Sequence, residues 1–182
     1  MYKIFLKLVE FISRAIAKVY VPFNKRKIRA KNYREIKEKI RPGDLIFLKR
    51  YGYLSNLFIG KWPHVALAGR DEKVIEATAE GVVETDLIDV LLSRDEVEIW
   101  RPKFLQPHEK TEAADYAKTF VGTEYDFTFQ NDMSTLYCSE LILLVYNFDA
   151  FKLKKRYGSD TFIPDDFLNY KKYFEVIYAV KE

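Results

Sequence analysis

A chain of 182 residues, 48% hydrophobic and 31% charged, has the size and composition of one globular unit, which excludes a disordered or fibrous protein. A net charge of +3 tolerates an anionic surface without demanding nucleic acid, and zinc-finger spacing, a ribonucleoprotein signature and a Gly-rich phosphate loop are all missing. One cysteine and two histidines exclude an intrachain disulfide, fit a reducing compartment and leave too few ligands for a structural zinc site unless carboxylates supply the rest.

Residues 2–20 are predicted as a helix, because Lys3, Lys7, Glu10, Arg14 and Lys18 recur at spacings of four, three, four and four and form one polar stripe. Pro22 ends it. Such a helix packs on its own domain or on a second copy of the chain, or it lies on a membrane with its cations toward the headgroups. A homo-oligomer and peripheral membrane contact through residues 2–20 therefore both stay open. No apolar stretch is long enough to span a bilayer, and no signal peptide is visible, so a cytoplasmic protein, membrane-associated at most, is expected. One catalytic domain is expected over residues 1–182, with residues 1–22 as a peripheral helix and the core in residues 40–182.

Residues 25–41 are basic, but Glu35 and Lys39, like Arg34 and Glu38, stand four apart. That pattern predicts a solvated helix and no nucleic-acid partner. Pro42-Gly43 marks a turn, and residues 45–48 follow as a short buried strand. Residues 64–68 and 74–77 are predicted strands of a hairpin joined at 69–73, and residues 97–99 belong to a further strand ending at Pro102. A helix runs from Pro107 to about Phe120, with Gly122 beyond it. A short strand is expected over 125–129, an apolar helix over 136–146, a helix start at Pro164-Asp165-Asp166, and a closing strand over 176–180. The fold class is α+β, with antiparallel strands in the middle and helices on either side in sequence.

The chemistry centres on Cys138. Ser134 and Thr135 precede an apolar run that begins around it, so the thiol falls in or near the first turn of a helix. Free backbone N–H groups there favour thiolate, the nucleophilic form, and the same groups can receive an oxyanion. A small buried filler is the competing role. A thiolate needs a proton partner, and His64 opens a predicted strand after Trp62-Pro63. The other histidine, His108, sits at a helix entrance between Pro107 and Glu109, where capping or solvation is more natural. Glu76 lies on the partner strand of the His64 hairpin. If the loop is Arg70 to Glu72, Gly69 pairs with Lys73 and Ala66 with Glu76. Glu76 is then the diagonal, same-face neighbour of His64, about 7–8 Å away at the backbone and within reach of a long side chain. A two-residue loop would flip Glu76 and bring Thr78 forward instead.

Arg-Pro-Gly-Asp-Leu-Ile-Phe (41–47), His-Val-Ala-Leu (64–67), Val-Ile-Glu-Ala (74–77), Gly-Thr-Glu-Tyr-Asp (122–126), Tyr-Cys-Ser-Glu-Leu-Ile (137–142) and Ile-Pro-Asp-Asp-Phe (163–167) occur in this order. Together they resemble the permuted NlpC-type cysteine peptidases of the YiiX/YebB-like group, related to lecithin retinol acyltransferase. The resemblance covers roughly residues 40–170. It implies a circularly permuted papain-like fold, a small antiparallel, barrel-like sheet against which the Cys helix packs, with the His strand before that helix. It also implies that Tyr125, with Tyr137 as the alternative, donates to the oxyanion. The sequence departs from the group at Pro63, where a small hydroxyl residue usually precedes the His. It departs again in the aromatic segment Tyr51, Tyr53, Leu54, Leu57, Phe58 and Trp62, which is expected as an apolar substrate wall.

The expected activity is cysteine-dependent hydrolysis of an amide in a peptide or acyl-amide substrate, of which cell-wall-type peptides are one kind. Cys138 is the nucleophile, His64 the base, Glu76 the orienting group, and no metal or organic cofactor is required. An acyltransferase or lipid or thioester hydrolase would use the same three residues with a different acceptor. A non-catalytic binding module would have no reason to keep all three.

Overall fold

The computed structural model describes residues 28–51, 60–129, 134–156 and 158–180. The predicted N-terminal helix and residues 53–58 of the aromatic segment lie outside them.

Strand β1 (Leu45–Lys49) is central because both of its faces are apolar. Leu45 and Phe47 point to one side and Ile46 and Leu48 to the other, and all four are fully buried. It pairs antiparallel with β2 (His64–Ala68) on one edge and β5 (Glu96–Pro102) on the other. Beyond β2 come β3 (Lys73–Thr78) and β4 (Gly81–Asp86), and beyond β5 comes β8 (Phe174–Ala179). The result is a six-stranded antiparallel sheet in the order β4-β3-β2-β1-β5-β8, open at β4 and β8.

The period-two alternation sorts the core into two layers. Leu45, Phe47, Val65, Leu67 and Ile75 pack with the helices α3 (Pro107–Lys118) and α4 (Cys138–Tyr146), through Ala114 and Ala117 of α3 and Leu141, Ile142 and Val145 of α4. Ile46, Leu48, Ala66, Val74 and Ile99 face the other way, toward Ile36 of α1 (Ala30–Lys39) and Leu87, Val90 and Leu91 of α2 (Leu87–Leu92). Small alanines on α3 let that helix lie close to the sheet.

The Arg-Pro-Gly-Asp motif proves structural. Asp44 is fully buried and receives Arg101 Nε and Nη2 at 2.8 and 2.7 Å, so the turn is bolted to β5. The Tyr146 hydroxyl donates to the Gly43 carbonyl at 2.6 Å, which ties the far end of α4 to the same turn.

Several differences from the sequence expectations have physical causes. Residues 125–129 form no strand. Thr128 N and Oγ1 donate back to Asp126 Oδ1 at 2.7 and 2.9 Å, and this local turn competes with a ladder, leaving one bridge between Glu124 and Thr135. Strand β4 and the six-residue α2 were not expected from the sequence, nor was a hairpin of β6 (Lys154–Arg156) and β7 (Ser159–Thr161). Pro164-Asp165-Asp166 does open a helix, but a 3-10 one, Pro164–Tyr173.

Candidate active site

His64 is the first residue of β2, opposite Leu48 at the end of β1, so its ring stands where the sheet stops. The hairpin that carries Glu76 turns through Arg70 to Glu72. Gly69 N donates to Lys73 O at 2.8 Å, Lys73 N donates back to Arg70 O at 2.9 Å, and Asp71 and Glu72, the central residues of that turn, take left-handed conformations (φ 51° and 57°). Ala68 pairs with Val74 and Leu67 with Ile75, which is the register that puts His64 and Glu76 on one face. His64 Nε2 and Glu76 Oε2 are 2.7 Å apart.

Helix α4 approaches from the opposite layer. Cys138 is its first residue after Tyr137, and Tyr137 N donates to Glu140 Oε2 at 3.3 Å. Glu140 thereby caps the helix three residues in, a carboxylate reaching back to the residue before the first turn. Ser139 Oγ donates to the Phe162 carbonyl, which pins this first turn to the chain leading into the 3-10 helix. The His64 ring and the backbone N–H groups of Val65 and Ser139 stand close enough to the Cys138 sulfur to stabilise its charge. Since Nε2 is committed to Glu76, Nδ1 is the ring nitrogen left to face the sulfur.

The electrostatics follow from these contacts. Burial alone would push the Cys138 thiol up, but the hydrogen bond and positive charge of His64, with the two backbone N–H groups, hold it below the ordinary thiol range. Burial would likewise pull the imidazole down. The Cys138 and Glu76 hydrogen bonds and charges override it and raise His64 to about 9. Glu76, 4% exposed, is pushed up by burial and pulled below its usual value by His64 and by Arg94, whose Nη2 lies 3.3 Å from the same Oε2. These shifts favour imidazolium and carboxylate at neutral pH, and they favour the Cys138 thiolate at lower pH than an ordinary thiol allows.

The other expected residues are placed as follows. Tyr125 stands close enough to Cys138 for the thiolate charge to act on its phenol, and burial followed by that charge holds it neutral far above neutral pH. Its ring packs on Phe127 at 4.7 Å, and its chain is set by the β4 edge: Val82 N donates to Thr123 O at 2.8 Å, and Gly122 N to Val82 O at 2.9 Å. Tyr137, 1% exposed, accepts Phe162 N at 3.3 Å on its hydroxyl, so the structure uses it inside the core. Trp62, 3% exposed, packs its indole against Phe47 at 5.9 Å, so what it offers is packing beneath the site rather than an exposed wall. Thr78 donates to the Gly81 carbonyl and turns into its own hairpin. His108 sits in the first turn of α3, on another element from the Cys138 pair. Sequence reasoning missed Arg94, whose only signal was a cation just past a short helix it had not foreseen.

A thiol, an imidazole and a carboxylate come together at the start of an apolar helix, the residue types that thiol nucleophilic chemistry calls for. The sequence matches the profile of the permuted papain-like amidases, YaeF/YiiX, C92 family, over residues 39–176, and the chain belongs to that family. Among solved structures, the metalloprotein YiiX from Escherichia coli O157:H7 is similar in fold, with a TM-score of 0.63 at 21% identity, covering 78% of this chain and 98% of that one. No curated protein matches. In this chain, no group of three or more His, Cys, Asp and Glu side chains among the described residues is placed to hold a metal ion.

Proposed function

We propose that the protein is a thiol amidase that works through an acyl-enzyme on Cys138. The observation that carries this is the continuous Cys138–His64–Glu76 linkage, drawn from three elements and both layers of the fold. The thiolate attacks the amide carbonyl carbon. The carbonyl oxygen becomes an oxyanion beside the first turn of α4, where backbone N–H groups lack helical partners. Tyr125, kept as a neutral phenol, is the side-chain donor for it. The His64 imidazolium gives its proton to the leaving nitrogen as the C–N bond breaks. The neutral ring then takes a proton from water, whose oxygen attacks the thioester and releases the acid, restoring the thiolate. Glu76 orients the ring and stabilises its charged form.

The test is intact-mass detection of an acyl adduct after exposure to a panel of peptide and acyl-amide substrates. The adduct is expected on Cys138 and absent from Cys138→Ala. Turnover should fall at least about a thousandfold in that variant, at a stability cost of about 1 kcal/mol for one lost sulfur. Hydrolysis that persists in Cys138→Ala would end this reading. Adding hydroxylamine separates the transferase alternative: a product diverted to the amine more often than to water would mark an acyltransferase.

A further inference from the structure

Arg94 is the residue the proposed mechanism leaves over. We infer that Arg94 is a positioning residue that holds the Glu76 carboxylate on His64 Nε2, the fourth member of the chain that begins at Cys138. This rests on the thiol-amidase reading and deepens it.

The first support is geometric. Glu76 and His64 lie on the sheet face that α2 covers, whereas Cys138 comes from the opposite layer. Arg94 follows directly on the end of α2 and directs Nη2 at Glu76 Oε2, the oxygen that also meets His64. Its backbone is fixed on both sides. Arg94 N donates to Leu91 O at 3.1 Å, and Asp95 N donates to Lys49 O at 2.8 Å as β5 begins. A guanidinium mounted this way has little freedom to swing off the carboxylate.

The second support is its cost. Arg94 Nε is buried without a hydrogen-bond partner among the described residues. A surface arginine avoids that penalty by carrying its head into water. This one keeps the head turned inward, with its side chain 22% exposed, and the contact it gains there is Glu76.

The third support is the charge count. Thiolate, imidazolium and carboxylate sum to minus one in a site where Cys138 and Glu76 are each about 5% exposed or less. A net buried charge is expensive. Arg94 brings the row to zero, and the sum stays at zero when the thiolate charge passes to the oxyanion of the first intermediate. The charged groups facing Glu76 are His64 from β2 and Arg94 from the α2–β5 turn, while Val83 stands opposite it on β4.

The chain has one cysteine, so alkylation by iodoacetamide reports on Cys138 alone. The experiment measures its rate against pH in the full chain, in Arg94→Gln, in Arg94→Lys, and in both changes combined with Glu76→Gln. Arg94→Gln is expected to move the acid limb of the profile upward by about half a pH unit or more and to slow the neutral-pH rate several-fold. Arg94→Lys, which keeps the charge, should recover most of the limb position. Both effects should vanish within about twofold in the Glu76→Gln background, because Arg94 acts through Glu76. If Arg94→Gln does not fold, the same cycle is run with Arg94→Met, which also removes the charge and should move the limb in the same direction only when Glu76 is present. A charge-removing Arg94 variant that superimposes on the unmodified profile, or an effect that persists undiminished without Glu76, overturns the role of Arg94. An unmodified protein whose alkylation rises only near the ordinary thiol range would instead overturn the ion-pair reading itself.

Discussion

A thiol and an imidazole 74 positions apart in sequence (64 to 138) meet because the imidazole starts a strand and the thiol starts a helix packed on that strand's sheet. Their pairing sets a pH window. Cys138 is lowered and His64 raised to about 9, so the ion pair exists between those limits. Above about 9 the imidazolium loses the proton that the proposed mechanism gives to the leaving nitrogen. The alkaline limb of kcat/KM should therefore fall near 9 and belong to the pair as a whole. Glu76 is one of the groups that raise His64, so Glu76→Gln should shift that limb to lower pH and slow turnover by about a hundredfold. A limb that does not move would mean that Glu76 orients the ring without stabilising its charge. The approach of Glu76 to His64 was legible in sequence because the hairpin register decides which residues share a face, and the place of Cys138 at a helix start was legible from the apolar run that follows it. Arg94 was not, because its relation to Glu76 depends on where α2 lies across the sheet.

Elements with a strong apolar period were legible for the same reason. The runs in β1, β2 and α4 announce themselves, whereas β4 begins at a glycine and carries Glu84, Thr85 and Asp86, which weaken the alternation. The β6–β7 hairpin was hidden by its cations. It is held by Asp166, 2% exposed, which receives Lys154 Nζ at 2.6 Å and Arg156 Nη1 at 2.7 Å. The neighbouring Asp165 does comparable work on the approach to His64. It accepts Lys61 N and Trp62 N, each at 2.7 Å, and so fixes the two residues that lead to Pro63. Gly60 makes this possible: its φ is +96°, and a Cβ there would sit 2.1 Å from Asp165 Oδ2. Gly60→Ala should thus push the carboxylate off its two donors, cost about 1–3 kcal/mol in urea unfolding, and slow Cys138 alkylation by loosening the start of β2. A variant with unchanged unfolding and alkylation would show that this latch does not govern His64.

At the scale of the molecule, the described residues bury both faces of the sheet with their own helices. Ile28, 4% exposed, already packs with the α1–α2 layer. No helix among the described residues is long and apolar enough to cross a membrane. The sequence before Ile28 carries Lys3, Lys7, Arg14 and Lys18 against a single Glu10 on its predicted polar stripe. Several cations on one side of an amphipathic helix attract anionic headgroups, and the attraction weakens as salt shortens the Debye length. We propose that residues 2–20 place the enzyme on an anionic membrane face. The full chain should then co-sediment with phosphatidylserine-containing vesicles at low salt, much less at high salt, and hardly with phosphatidylcholine alone. Removal of residues 1–22 should abolish that binding while leaving the unfolding midpoint and Cys138 alkylation as they were. A truncated chain that unfolds or associates differently would show instead that the segment packs on its own domain or on a second copy, and the membrane role would fall.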